Sequence, residues 1–195
     1  MKKKKKLVRL VLLALFSALI VAMTFTPNFG YITLIPGIPL LTTLHIPVIM
    51  GAAILGPKYG SILGTVWGAL CLVKAYMEPI VNNVPFQNPM VSLVPRIIVG
   101  LAVGLIVYSL TKTKLPKVIS ISIATIVGTL TNTALVLTAL KIFGGFELLF
   151  GDSAKLLTTI FSSIVAVNGV IELVAAVILV PSIYMATHKI IKDKI

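Results

Sequence analysis

From residue 10 to residue 186 this chain places only twelve charged side chains, and the other ten of its 22 charges crowd into the first nine and last nine residues. A soluble domain dresses its surface with roughly a quarter charged residues. This 195-residue chain has 11% charged and 58% hydrophobic residues, with a mean hydropathy of +1.10. So sparse a set of charges excludes a cytosolic enzyme, a disordered chain and a disulfide-built secreted module. It leaves a polytopic membrane protein, and the length suits a single domain over residues 1–195. The net charge of +12 does not point to nucleic acid. Basic residues that bind phosphate line a wet face, whereas these punctuate apolar runs. The lone Cys71 excludes an internal disulfide and any multi-cysteine metal site, and in its apolar surroundings it reads as a small packed residue.

A helix needs about 20 mostly apolar residues to cross a bilayer. Spans are expected at about 10–26, 45–56, 59–75, 90–110, 118–140 and 160–187. The basic leader, Lys2 to Lys6 plus Arg9, resembles the start of a signal peptide, but no small-x-small cleavage site with a polar flank follows, so the first helix is read as retained. Residues 27–44 are uncharged and broken by Pro36, Gly37 and Pro39, which makes an apolar loop. The second span, from His45, is short and ends in the turn Gly56-Pro57-Lys58. Residues 76–89 hold three prolines and four amide side chains and form a second long loop, and Gly144 to Ser153 form a third. The last helical stretch, from about Ala154 to Thr187, is long for one span and too short for two.

Charge asymmetry orients the bundle. With the amino terminus inside, 13 of the 17 basic residues fall on the cytoplasmic side, and Lys74, Lys141 and Lys155 outside are offset by Glu78, Glu147 and Asp152. An odd number of spans would strand one basic terminus outside. The expected fold is therefore all-α, with six transmembrane helices in the plasma membrane, both termini cytoplasmic, and long outer loops between helices one and two and between helices three and four.

Ionisable groups inside a span are costly and default to functional candidates. Arg96 and Glu172 are the two here, and Asn168 shares a helix face with Glu172, four residues earlier. Asn132, flanked by Thr131 and Thr133, lies in the fifth span. Two readings stand. Arg96 and Glu172 pair with each other inside the bundle, or these groups converge in a pocket open to the outside. In the pocket, Arg96 binds an anionic group, and Asn132, Asn168 and Glu172 bind hydroxyl, amide or amine groups. Asn88 and His45 stand at loop–helix junctions on the same side, where a histidine more often serves a helix end than a ligand. Loops as long as 27–44 and 76–89 are often lids. Ala14, Ala18 and Ala22 form a strip of small residues, suited either to a helix of the same chain or to a separate subunit.

Gly51 to Lys58 resembles a P-loop at a glance, but Pro57 intervenes between Gly56 and the lysine, so it is no nucleotide site. There is no HExxH, paired-aspartate or GxSxG motif, and no convincing internal repeat. No catalytic residue, metal site or cofactor is expected.

Together these residues resemble the substrate-binding membrane subunits (S-components) of energy-coupling factor (ECF) transporters, over nearly the whole chain. The resemblance rests on the Ala14, Ala18 and Ala22 strip and on "LHIPVIMGAAILGPKYGSILG" at 44–64, "NPMVSLVPRIIVGLAVGL" at 88–105, "GTLTNTALVL" at 128–137 and "NGVIELVAAVILVPSI" at 168–183. It implies a six-helix subunit that captures a water-soluble vitamin outside and works with a transmembrane coupling subunit and two cytosolic ATPases. The alanine strip would meet the coupling subunit, and the whole S-component would topple to deliver its cargo. Pantothenate-type members look most similar, and an arginine in the outer half would suit a small carboxylate. Folate, riboflavin and cobalamin types remain alternatives, as does a stand-alone secondary carrier, which would need midplane ion-coupling residues. Only Glu172 would serve there. A membrane enzyme on lipid-linked substrates would need acidic or histidine clusters, which the sequence lacks.

Overall fold

The computed structural model describes residues 2–32, 41–79, 81–143 and 154–192. The stretch 33–40, with its prolines, and the third expected loop at 144–153 lie outside the described residues. The elements are α1 (Lys2–Phe25), β1 (Tyr31–Ile32), β2 (Leu41–Thr42), α2 (His45–Leu55), α3 (Pro57–Met77), a 3-10 segment (Val81–Gln87), α4 (Pro89–Ser92), α5 (Val94–Leu110), α6 (Lys117–Ile142) and α7 (Ala154–Lys192).

Among the described residues, five helices are long and apolar enough to cross a membrane: Lys3–Phe25, Pro57–Met77, Pro89–Leu110, Lys117–Ile142 and Val167–Thr187. The expected second span, α2, is the shorter one, at 11 residues. At ~1.5 Å per residue it is about 16 Å long, roughly half the ~30 Å hydrocarbon core. It is also nearly all buried, from His45 to Leu55. The first helix begins earlier than expected, since the lysine run continues it to Lys2. Lysine is a good helix former once a helix has been nucleated beside it.

Two parts of the loops at 27–44 and 76–89 are ordered in ways that composition does not announce. Tyr31–Ile32 pairs antiparallel with Leu41–Thr42, Tyr31 opposite Thr42, and Thr43 N–H donates to Gly30 O at 3.0 Å. Loop 76–89 is mostly taken up by the end of α3 and the 3-10 segment. The span expected from Met90 is interrupted at Leu93, between α4 and α5.

Gly56 alone joins α2 to α3. Its φ of +94° suits a residue without a Cβ, and Pro57, with no N–H to satisfy, starts the next helix. α3 then packs most closely against α5. Gly60, Gly64 and Gly68 recur every four residues and so share one face of α3. A Cβ on Gly60 would collide with the Gly100 carbonyl, one on Gly64 with the Arg96 carbonyl, and one on Gly68 would press on Leu93. From the other side, a Cβ on Gly104 would strike Pro57. The register is antiparallel, with backbone against backbone, as small residues allow between membrane helices.

The core gathers Ile49, Val99, Val103, Ile121, Ala124, Ala176 and Val180, contributed by α2, α5, α6 and α7. A second cluster joins α1 to α2 and α3 through Ile20, Met23, Leu44, Val48, Leu63 and Trp67. α1 touches the rest along one side only. Leu7, Leu10, Val11, Leu15 and Leu19 are exposed, as are Ala14, Ala18 and Ala22.

Candidate binding site

The polar residues singled out in the sequence are set by helix register. A Cβ on Gly128 would stand 3.6 Å from Ile49 Cδ1 and would also press on Val103, so α6 crosses α2 and α5 at that level. One turn earlier on α2 is His45, and one turn later on α6 is Asn132. The two helices run in opposite directions, so these residues come to the same height. On α7, Gly169 approaches Thr133, its would-be Cβ 3.3 Å from Thr133 Oγ1. That places Glu172, one turn on, near Thr129, one turn back on α6. Arg96 lies one turn before Val99 on α5.

All of these residues are sequestered: His45 is 1% exposed, Thr129 1%, Arg96 5%, Asn132 6% and Glu172 7%. Both His45 ring nitrogens, Asn132 Oδ1, Thr129 Oγ1 and Arg96 Nε are buried without a hydrogen-bond partner. A buried polar atom left unpaired costs free energy. Several at one end of a bundle mark a place where a polar solute would supply the missing partners.

Arg96 is held by its surroundings. Its Nη1 donates to the Val91 carbonyl at 2.7 Å. Its guanidinium carbon stands 5.2 Å from the centre of the Trp67 ring and 5.6 Å from that of Phe86, within the range of cation–π attraction. Tyr31, from β1, closes the same region. Burial and the neighbouring Cys71 hold its hydroxyl well above its ordinary pKa, while the Arg96 charge pulls the other way.

Glu172 accepts a 2.6 Å hydrogen bond from the main-chain N–H of Thr42. This contact ties the β1–β2 hairpin to α7. Among the described residues Arg96 and Glu172 form no ion pair; each is engaged by backbone instead. The described ion pair is Lys74–Glu78, at 3.0 Å on the rim.

The expected residues therefore do not all meet. His45, Arg96, Asn132 and Glu172 are brought to the buried polar end of the bundle, and Asn168 is half-buried one turn before Glu172. Asn88 does other work: its Oδ1 accepts from Met90 N–H at 2.9 Å and caps α4. Trp67, Phe86, Tyr31 and Thr129 were missed in the sequence. Trp67 carries a usable signal, since it is the single tryptophan of the chain and lies in a helix spaced by glycines. Cys71 is free and buried, in keeping with a packed residue. No group of three or more metal-ligating side chains occurs among the described residues.

A family model for ECF transporter substrate-specific components matches residues 8–184. The chain is 33% identical over 202 residues to the pantothenic acid transporter PanT of Lactococcus lactis subsp. cremoris (strain MG1363), which covers 96% of this chain and 97% of that protein. It is 35% identical over 101 residues to the pantothenate transporter PanT of Leuconostoc mesenteroides subsp. mesenteroides, over 49% of this chain and 48% of that one. With five apolar helices of membrane-crossing length and a family match across nearly its whole length, this multi-pass cell-membrane protein belongs to the ECF transporter substrate-specific components.

Proposed function

We propose that this chain captures pantothenate from outside the cell and hands it inward together with an ECF coupling subunit and two cytosolic ATPases. The observation that carries this reading is a buried arginine, Arg96, beside several buried polar atoms that lack partners. Pantothenate offers matching groups: a carboxylate for Arg96, and an amide and two hydroxyls for Asn132, Thr129, His45, Asn168 and Glu172. The similarity to a protein named as a pantothenic acid transporter, at 33% identity over 96% of the chain, supports the same substrate.

In this reading the chain crosses the membrane six times with both termini cytoplasmic. α2 counts as a half-depth span that starts near the bilayer middle and ends at Leu55, just before Lys58 on the inner side. The polar end then faces outward under the hairpin and the 3-10 segment. The lipid-exposed Ala14, Ala18 and Ala22 form the surface that receives the coupling subunit, since their small side chains let another helix approach closely.

Equilibrium dialysis of the purified chain against labelled pantothenate tests the substrate. Saturable binding, displaced by unlabelled pantothenate and not by folate or riboflavin, is the expected result. Displacement by another vitamin alone would move the assignment to that vitamin. Ala18→Trp is expected to abolish ATP-dependent uptake in vesicles holding the full complex while leaving binding unchanged. Undiminished uptake would reject the docking surface. Uptake by the wild-type chain without ATPases would favour a stand-alone carrier.

A further inference from the structure

In an α-helix the N–H of each residue bonds to the carbonyl four residues before it. Proline has no N–H, so a proline inside a helix leaves that carbonyl without its donor. Pro95 stands in the first turn of α5, just after the break at Leu93 between α4 and α5, and the carbonyl four residues before it, which its missing N–H leaves unclaimed, is that of Val91. The donor that fills the gap is the side chain of the next residue: Arg96 Nη1 lies 2.7 Å from Val91 O. We propose that Pro95 is a positioning residue for substrate recognition, freeing the Val91 carbonyl to hold one arm of the Arg96 guanidinium so that its Nε–Nη2 edge is presented, ready aligned, to a carboxylate.

This inference rests on the reading of Arg96 as the substrate's carboxylate ligand and states how that recognition is built. A guanidinium has two edges that can grip a carboxylate with parallel N–H bonds, and the tight, specific interaction is bidentate. Nε and Nη2 share one edge, and Nη1 lies across from Nε. With Nη1 engaged on Val91, the Nε–Nη2 edge is the one left over. Nε is buried and has no hydrogen-bond partner, and Nη2 makes no hydrogen bond among the described residues. The rings of Trp67 and Phe86, 5.2 and 5.6 Å from the guanidinium carbon, limit its rotation. The backbone beneath is fixed as well, because a Cβ on Gly64 would strike the Arg96 carbonyl. A planar anion therefore meets an edge that needs little reordering, while a ligand ending in a hydroxyl meets donors it cannot fully satisfy.

Pro95→Ala restores the N–H. That N–H competes with Nη1 for the Val91 carbonyl and releases the guanidinium arm. Calorimetry on the purified full chain compares wild type and variant against two ligands: pantothenate, and the analogue in which its carboxylate is replaced by a hydroxymethyl group. Losing the preorganised arginine is expected to weaken pantothenate on the order of tenfold and to leave the alcohol analogue within about twofold. Equal weakening of both ligands, or of neither, overturns the inference while leaving the substrate reading in place. A wild-type chain that binds neither ligand overturns the substrate reading, and this inference with it. The wild-type complex with pantothenate gives a test that needs no variant. A carboxylate on Nε and Nη2, with Nη1 still on Val91 O, supports the proposal. A carboxylate seated on Nη1, with the Val91 contact broken, refutes it.

Discussion

The two sides of the polar end are built by opposite means. On one side, α3 and α5 approach with backbone against backbone through Gly60, Gly64, Gly100 and Gly104, and Arg96 rises from that wall already bonded and flanked by rings. On the other side, His45, Thr129 and Asn132 carry polar atoms with no partner, and the hairpin is tied to α7 by the contact from Thr42 N–H to Glu172. The difference teaches how a binding protein divides its work. In the proposed reading, the wall made of glycine and proline keeps its geometry with or without a ligand, and the opposite side is the one that a ligand completes.

If that division is right, the backbone contacts of the wall should fail structurally, and the polar side chains that meet the ligand, Arg96 included, functionally. Gly100→Val is expected to have the largest effect. Its Cβ would overlap the Gly60 carbonyl, and no flexible side chain is there to yield, so the cost should exceed about 3 kcal/mol, the upper end for ordinary overpacking. Loss of the monodisperse peak in size-exclusion chromatography is the readout, and a well-folded variant would break the comparison at once. Arg96→Ala removes a charge-assisted contact worth about 1.5–3 kcal/mol, so pantothenate affinity should fall roughly 10- to 100-fold. Titration calorimetry measures it.

Asn132→Leu sharpens the contrast. Removing a buried acceptor that has no partner in the ligand-free protein should leave apo thermal stability unchanged or raised, since an apolar group of similar shape is no worse there. Affinity should nonetheless drop about tenfold, the loss expected from one good polar contact. A thermal scan without ligand, together with a binding isotherm, reads both. A fall in apo stability would mean that Asn132 belongs to the scaffold. Glu172→Gln is the mildest change. The side-chain oxygen can still accept from Thr42, but the bond loses its charge assistance, which is about half its strength. Faster amide exchange at residues 42–44 is expected, with a few-fold effect on binding. Exchange unchanged from wild type would mean that the hairpin is held by other contacts.

How much of this was legible in the sequence depended on the range of the interaction concerned. The long helices follow from local hydropathy, whereas the lysine run extends α1 back to Lys2 and α7 runs over Ala154–Lys192. Arg96 and Glu172 stood out as charges inside apolar runs. Their partners did not, because each is decided by packing. The ion pair expected as one alternative is replaced by two backbone contacts, with Val91 and with Thr42. Trp67 reaches Arg96 because α3, spaced by glycines, lies hard against α5, and Phe86 reaches it from the 3-10 segment. The glycine repeat itself, Gly60, Gly64 and Gly68, is as readable a small-residue face as the alanines on α1. Pro95 was equally visible: a proline just before the arginine of an apolar run announces an unclaimed carbonyl four residues back. The short hairpin was not legible, since two-residue strands leave no periodicity.

That hairpin carries one more consequence. Thr43 N–H turns inward to Gly30, so the neighbouring Thr42 N–H points away from β1, as alternation along a strand requires. It forms the open edge of a two-stranded ribbon. In a larger sheet a third strand would lie there and offer a carbonyl, and a buried backbone N–H left without a partner is costly. Glu172 supplies that oxygen from a helix side chain. A single carboxylate thus stands in for the next strand of the sheet.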